Sequence, residues 1–170
     1  MRSSLLGSLI QVAQFNQARK VPRVRVFELG RVFLRDASVV DSDTTVAQFD
    51  QPMRVAGLAL GSADTLQWGR SDAAVDFFDV KGDVEALFAP QRLEFVPASA
   101  SAHHPALHPG RSASVRLSGV DIGVVGELHP QWRQSYGLTA APIVFELDLA
   151  AVLRRPVPAF EPIAKFPAVQ

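Results

Sequence analysis

The chain has 170 residues, with 17 Lys+Arg balanced by 17 Asp+Glu for a net charge of zero, and an apolar fraction of 48%. At this length a compact chain buries about 68–70% of its unfolded surface, so one domain can stand without a disulfide or a metal. The absence of cysteine excludes disulfides, Cys-ligated zinc, iron–sulfur clusters and thiol catalysis; zero net charge disfavours a free-standing nucleic-acid binder, and no apolar run reaches the roughly 18–20 residues that cross a bilayer, so the expectation is a cytoplasmic protein with no membrane contact.

In chain order, Leu5, Leu6, Leu9, Ile10, Ala13 and Phe15 recur at helical spacing behind Ser3 and Ser4, whose hydroxyls can cap free N–H groups. This predicts an amphipathic helix over 4–17. Pro22 ends it, and the β-branched and aromatic run 24–34 predicts a long strand with a bulge at Gly30. Periodicity vanishes over 36–51, a loop, and returns as a short strand at 53–60. Phe77, Val80, Val84, Leu87 and Phe88 then share one face of a helix that ends before Pro90, with acidic residues near its positive N-terminal end. A short strand at 93–96, a Pro-punctuated loop at 99–110 and a hairpin of strands 112–117 and 122–128 follow. Pro130 opens a short helix through Tyr136. A strand at 143–147 precedes a final helical turn or two, capped by Asp148. Pro156, Pro158, Pro162 and Pro167 then disfavour packed structure. The reading is one domain over 1–155, with a Pro-rich connector at 156–170. Its class is α+β: an antiparallel β-sheet flanked by helices.

The residues that could carry chemistry are few. His103, His104 and His108 cluster, and His104 and His108 have helical zinc-ligand spacing. Pro105 and Pro109 oppose a helix there and no carboxylate completes the set, so imidazoles bonded to backbone carbonyls in a loop are the preferred reading. Asp76, Asp79, Asp83 and Glu85 form an acidic cluster that the helix dipole already explains. Arg23 and Arg25 share a strand face and could hold a phosphate or pair with a carboxylate. No Gly-x-Ser-x-Gly elbow, Walker loop or Rossmann loop is present.

Five stretches taken together carry a resemblance: Met1–Leu6, Arg25–Phe33, Asp76–Asp83, His104–Ala113 and Gly123–Pro130. In this order and spacing they resemble the catalytic-like module of the bacterial phenylalanyl-tRNA synthetase β chain, over nearly the whole length. Ile163–Ala168 is similar to that family's entry into an anticodon-binding domain, which is missing here. The resemblance implies a class II aminoacyl-tRNA synthetase-like fold without an active site. It implies a parent enzyme, phenylalanine–tRNA ligase, whose α chain uses ATP and Mg²⁺ to attach phenylalanine to tRNA(Phe). It also implies packing against that α chain in an (αβ)₂ heterotetramer, with tRNA held mainly by other domains.

A working class II site needs a strand arginine with an acidic neighbour, and a glycine-rich strand leading to a second arginine. Arg25 and Glu28 stand as a degenerate remnant of the first, at the wrong spacing. No Gly-x-Gly-x-Gly stretch followed by Arg exists, and the strand Ile143–Leu147 takes its place, with Phe145 and Leu147 expected to fill a pocket. The expectation is a chain inactive by itself, with no catalytic residue, cofactor or metal of its own, and with His104, His108, Pro109, Gly110 and Arg111 as a family-signature loop. Leu5, Leu9, Phe15, Phe77 and Phe88 are the candidate interface residues. The alternative is an active or small-molecule-binding class II-like ATP-dependent ligase domain.

Overall fold

The computed structural model describes residues 1–43, 45–70, 72–97 and 104–154; the Pro-rich stretch 156–170 and His103 lie outside them. Helix α1 (Leu6–Ala18) leads to strand β1 (Arg23–Arg31), the short pair β2 (Leu34–Arg35) and β3 (Phe49–Asp50), and β4 (Met53–Gly61). Helix α2 (Phe77–Phe88) and β5 (Leu93–Pro97) precede the hairpin of β6 (Leu107–Leu117) and β7 (Val120–Leu128). Helix α3 (Pro130–Ser135), β8 (Ile143–Asp148) and α4 (Leu149–Leu153) complete the order. Six strands form one antiparallel sheet in the order β1-β4-β8-β7-β6-β5.

Period-two alternation on the central strands feeds two cores. Ala56, Leu58 and Leu60 of β4 and Val144 of β8 pack with Leu5, Leu6, Leu9, Ile10 and Ala13 of the α1 region. Val55 and Ala59 of β4 and Ile143 and Leu147 of β8 pack on the other face with Val80, Val84 and Phe88 of α2. Each fully buried Leu, Ile, Val or Phe contributes about 1.5–3 kcal/mol relative to exposure, and the sheet is thereby clamped between α1 on one side and α2 with α4 on the other.

Three boundaries differ from the sequence expectation. Gly30 is not a bulge: β1 and β4 run in unbroken register from Arg23↔Gly61 to Arg31↔Met53. A Cβ at Gly30 would stand 2.3 Å from the Arg2 guanidinium and 3.2 Å from Leu5, so this glycine admits the N-terminal segment. The β6–β7 register shifts twice, between Leu107 and Ser112 and at Ile122–Gly123, and a Cβ at Gly123 would stand 2.2 Å from the Glu146 carbonyl. Second, the expected strand 24–34 divides, because Val32 and Phe33 turn their N–H groups to the carbonyls of Pro52 and Arg2. Leu34–Arg35 then pairs with Phe49–Asp50, inside the expected loop 36–51. Third, the loop expected to reach Gly110 gives way to β6 from Leu107, so His108, Pro109, Gly110 and Arg111 lie in a strand. The hairpin closes through Ser118 and Gly119, both at positive φ (52° and 79°), as a two-residue turn requires.

Candidate functional site

On the sheet face beneath α2, β1 presents Arg23 and Arg25 side by side. Arg25 Nη1 donates to Asp83 Oδ2 of α2 at 2.6 Å, and both arginines reach the Ala63 carbonyl from Nη2 at 3.3 Å. The carboxylate alternative is realised at Arg25, while Arg23 is held by the Ala63 carbonyl. Beside them the ring of Phe145 covers Gly57 so closely that a Cβ there would stand 2.3 Å from the ring. Glu28 points to the opposite face, where it accepts from Ser8 Oγ and Arg2 Nη1, each at 2.5 Å. These contacts, the Ser8 hydroxyl foremost, hold its carboxyl below the ordinary carboxylate value. Arg25 and Glu28 thus do not converge: three residues apart on a strand, they lie on opposite faces. Arg25 and Glu28 do not together fit ATP.

The acidic cluster is structural throughout. Asp76 caps α2 by accepting from the N–H groups of Phe78 and Asp79 at 2.7 and 3.0 Å, while Asp79 accepts in return from Asp76 N–H at 2.8 Å. Asp83 is taken by Arg25, and Glu85 pairs with Lys81 at 2.5 Å. The histidines depart from expectation. His104, His108 and His129 each precede a proline, which holds the histidine backbone extended. Each Nδ1 accepts the N–H two residues on, from Ala106 (3.2 Å), Gly110 (3.0 Å) and Gln131 (3.2 Å). Through Nδ1 the imidazoles fix these turns as acceptors from backbone N–H groups. Among the described residues no three His, Cys, Asp or Glu side chains gather as metal ligands do.

Arg111 of β6 lies opposite Glu127 of β7, its Nη1 standing 2.9 and 3.2 Å from the two carboxylate oxygens. Both line a cavity of about 470 Å³ between the first turn of α2 and the strands β5–β8. Glu127 went unmarked in the sequence because its partner is set by strand register, which no local pattern encodes. The same holds for Glu146 of β8, whose Oε1 accepts from Leu5 N–H at 2.6 Å and so caps α1 from 141 residues away.

Of the five candidate interface residues, Leu5, Leu9 and Phe88 are buried within this chain's own cores, which corrects their reading as a surface. Phe77 is half-buried and Phe15 is 55% exposed. The outer face of α1 (Gly7, Gln11, Val12, Gln14, Phe15 and Ala18) is exposed and holds no charged residue of its own, and the Arg19 guanidinium lies over the Phe15 ring, 3.3 Å from its centroid.

A six-stranded antiparallel sheet between helices, with Phe145 over Gly57 and Arg25 paired to Asp83 on its inner face, defines an α+β module. Residues 1–149 match the family described as the phenylalanyl tRNA synthetase beta chain CLM domain, and the chain belongs to that family. It is 53% identical over 168 residues to the phenylalanine–tRNA ligase beta subunit of Cupriavidus pinatubonensis, covering 99% of this chain and 20% of that protein. It is 52% identical over 169 residues to that of Ralstonia nicotianae, with the same coverage, and 50% identical over 170 residues to that of Chromobacterium violaceum, covering 100% and 20%. The chain spans about a fifth of the length of the curated relatives it matches.

Proposed function

We propose that the chain is the non-catalytic structural and subunit-interface module of a phenylalanine–tRNA ligase β subunit. The parent enzyme uses ATP and Mg²⁺ to attach phenylalanine to tRNA(Phe) in the cytoplasm, on an active site carried by an α chain. The fold is of the class II aminoacyl-tRNA synthetase type, with residues 1–155 as the module and 156–170 leading on toward an anticodon-binding domain. The observation that carries this reading is the inner sheet face: Phe145 lies over Gly57, and of the two arginines there Arg25 is paired with Asp83 while Arg23 is held to the Ala63 carbonyl.

The partner is the α chain, in an (αβ)₂ heterotetramer, and the α1 outer face is the surface offered to it. A solvent-facing helix face bearing Val12 and Phe15, with an arginine, Arg19, stacked on the aromatic ring, has the composition of an interface core. Zero net charge fits a module that leaves the tRNA phosphates to other domains.

The test uses the full-length β subunit co-expressed with its α chain. Val12→Asp with Phe15→Asp is expected to weaken association at least about tenfold, or 1.4 kcal/mol, in sedimentation. Unchanged association would remove α1 from the interface. Calorimetric titration of the β subunit alone with ATP and phenylalanine should show no heat of binding, and micromolar binding would sink the non-catalytic reading.

A further inference from the structure

On the sheet face beneath α2, Arg25 and Phe27 of β1, Ala59 of β4, Phe145 of β8, and Val80 and Asp83 of α2 line a pocket of about 180 Å³. That is below the roughly 300–1,000 Å³ of sites that take free small molecules, whereas an apolar cavity of about 150 Å³ holds benzene. The pocket is thus the size of one aromatic ring. At its rim Phe27 is 73% exposed, and Leu29, the next residue on the same face of this edge strand, is 53% exposed. A ring-sized hole with an apolar margin left in water is built to receive a side chain.

Charge at this place is unbalanced. Arg23 and Arg25 share one carboxylate, Asp83, and one carbonyl, that of Ala63. The Nε of each is buried with no hydrogen-bond partner among the described residues. The complementary occupant is therefore an aromatic ring with an acid beside it.

The chain's own sequence offers that pair. Leu149, Ala151 and Val152 of α4 pack against the same core as Phe145, so the chain reaches Arg154 on this face of the sheet. Phe160 follows six residues later, with Glu161 directly after it. Six extended residues reach about 20 Å. Phe145 lies three residues, or about 10 Å, back along β8 from Asp148, and β1 is two strand spacings, again about 10 Å, to the side. Phe166 is also within reach, but Lys165 precedes it and would bring a third cation to the two arginines.

We propose that the Phe160 ring seats in this pocket with Glu161 against Arg23 and Arg25, so that the stretch following α4 straps the β1 edge of the sheet. The contact lies within one chain and is independent of whether the α1 face meets the α chain.

The test uses the full-length β subunit, assembled with its α chain and carrying the photo-crosslinker p-benzoylphenylalanine in place of Phe27, an exposed rim position. Irradiation is expected to join position 27 to the peptide that contains Phe160, as mapped by mass spectrometry. Phe160→Ala should cut that yield at least about tenfold, the loss of one ring's binding. Glu161→Lys should lower it, and Phe166→Ala should leave it unchanged, with sedimentation of each complex recorded alongside. An adduct in the α chain, or elsewhere in the β subunit, overturns the assignment. So does a yield indifferent to Phe160→Ala, or no adduct in the assembled complex.

Discussion

Single side chains decide both what anchors the N-terminus and what closes the inner sheet face. Glu28 gathers Ser8 and Arg2 onto β1, and its carboxyl is held below its ordinary value of 4.5. A carboxylate depressed in the folded state adds stability that is present above its unfolded value and lost as pH falls through the folded one. Glu28→Gln is therefore expected to cost about 1 kcal/mol at neutral pH. The gap to the parent chain should narrow as the pH drops below 4.5; urea unfolding across that range measures it, and a pH-independent gap would show that charge plays no part. At Gly57 the argument is steric. Gly57→Ala drives a methyl into the Phe145 ring and should cost about 1–3 kcal/mol by overpacking. With Phe145→Ala alongside, that cost should shrink by about 1 kcal/mol or more in a double-mutant cycle, whereas simple additivity would mean the ring does not rest on this glycine.

At the scale of elements, the two long helices begin in different ways. Helix α2 is capped by its own sequence through the reciprocal Asp76 and Asp79 bonds, while α1 combines a local bond, Leu6 N–H to Ser4 Oγ at 3.1 Å, with one from Leu5 N–H to Glu146 across the sheet. Asp76→Ala removes an exposed cap and should cost about 1 kcal/mol. Glu146→Ala strands the buried Leu5 N–H and should cost about 1–3 kcal/mol, with faster amide exchange at the start of α1 as its signature. If Asp76→Ala proves the costlier, the cross-sheet cap is not what anchors α1. This contrast also explains what the sequence makes legible. The helices, the hairpin and the strands at 53–60 and 143–147 follow from local period, caps and turns. Gly30 and Gly123 look alike as glycines inside strands, and only the neighbouring chain decides which admits a close approach and which sits at a shifted register. Pro109 and Gly110 read as loop residues. They are tolerated in β6 because β5 pairs only with Ala113–Leu117 and the β7 register breaks between Leu107 and Ser112, so neither neighbour has a ladder partner opposite them to require an N–H from proline. The Arg25–Glu28 remnant, by contrast, could be judged from spacing alone, since an odd separation on a strand divides the pair between faces.

Across the whole molecule, the proposed lack of a nucleotide site rests on how the sheet distributes its residues and not on one obstructing ring. The face toward α2 holds Arg25, Gly57 and Phe145; the face toward α1 holds Glu28, which is spent on anchoring the N-terminal segment. Removing the obstruction and freeing the cation would leave an arginine without its acidic neighbour and without any glycine-rich strand leading to a second arginine. Phe145→Gly combined with Asp83→Asn exposes Gly57 and releases Arg25 while leaving Glu28 and the α1 face untouched. Because Phe145 is only half-buried, the fold should survive at a cost of a few kcal/mol, about the scale of large-to-small core substitutions. The expected outcome is a folded β subunit that still shows no heat on calorimetric titration with ATP and Mg²⁺. Recovery of ATP binding in this variant would mean that the site had been lost to a lid, and that the alternation of Arg25 and Glu28 is no barrier.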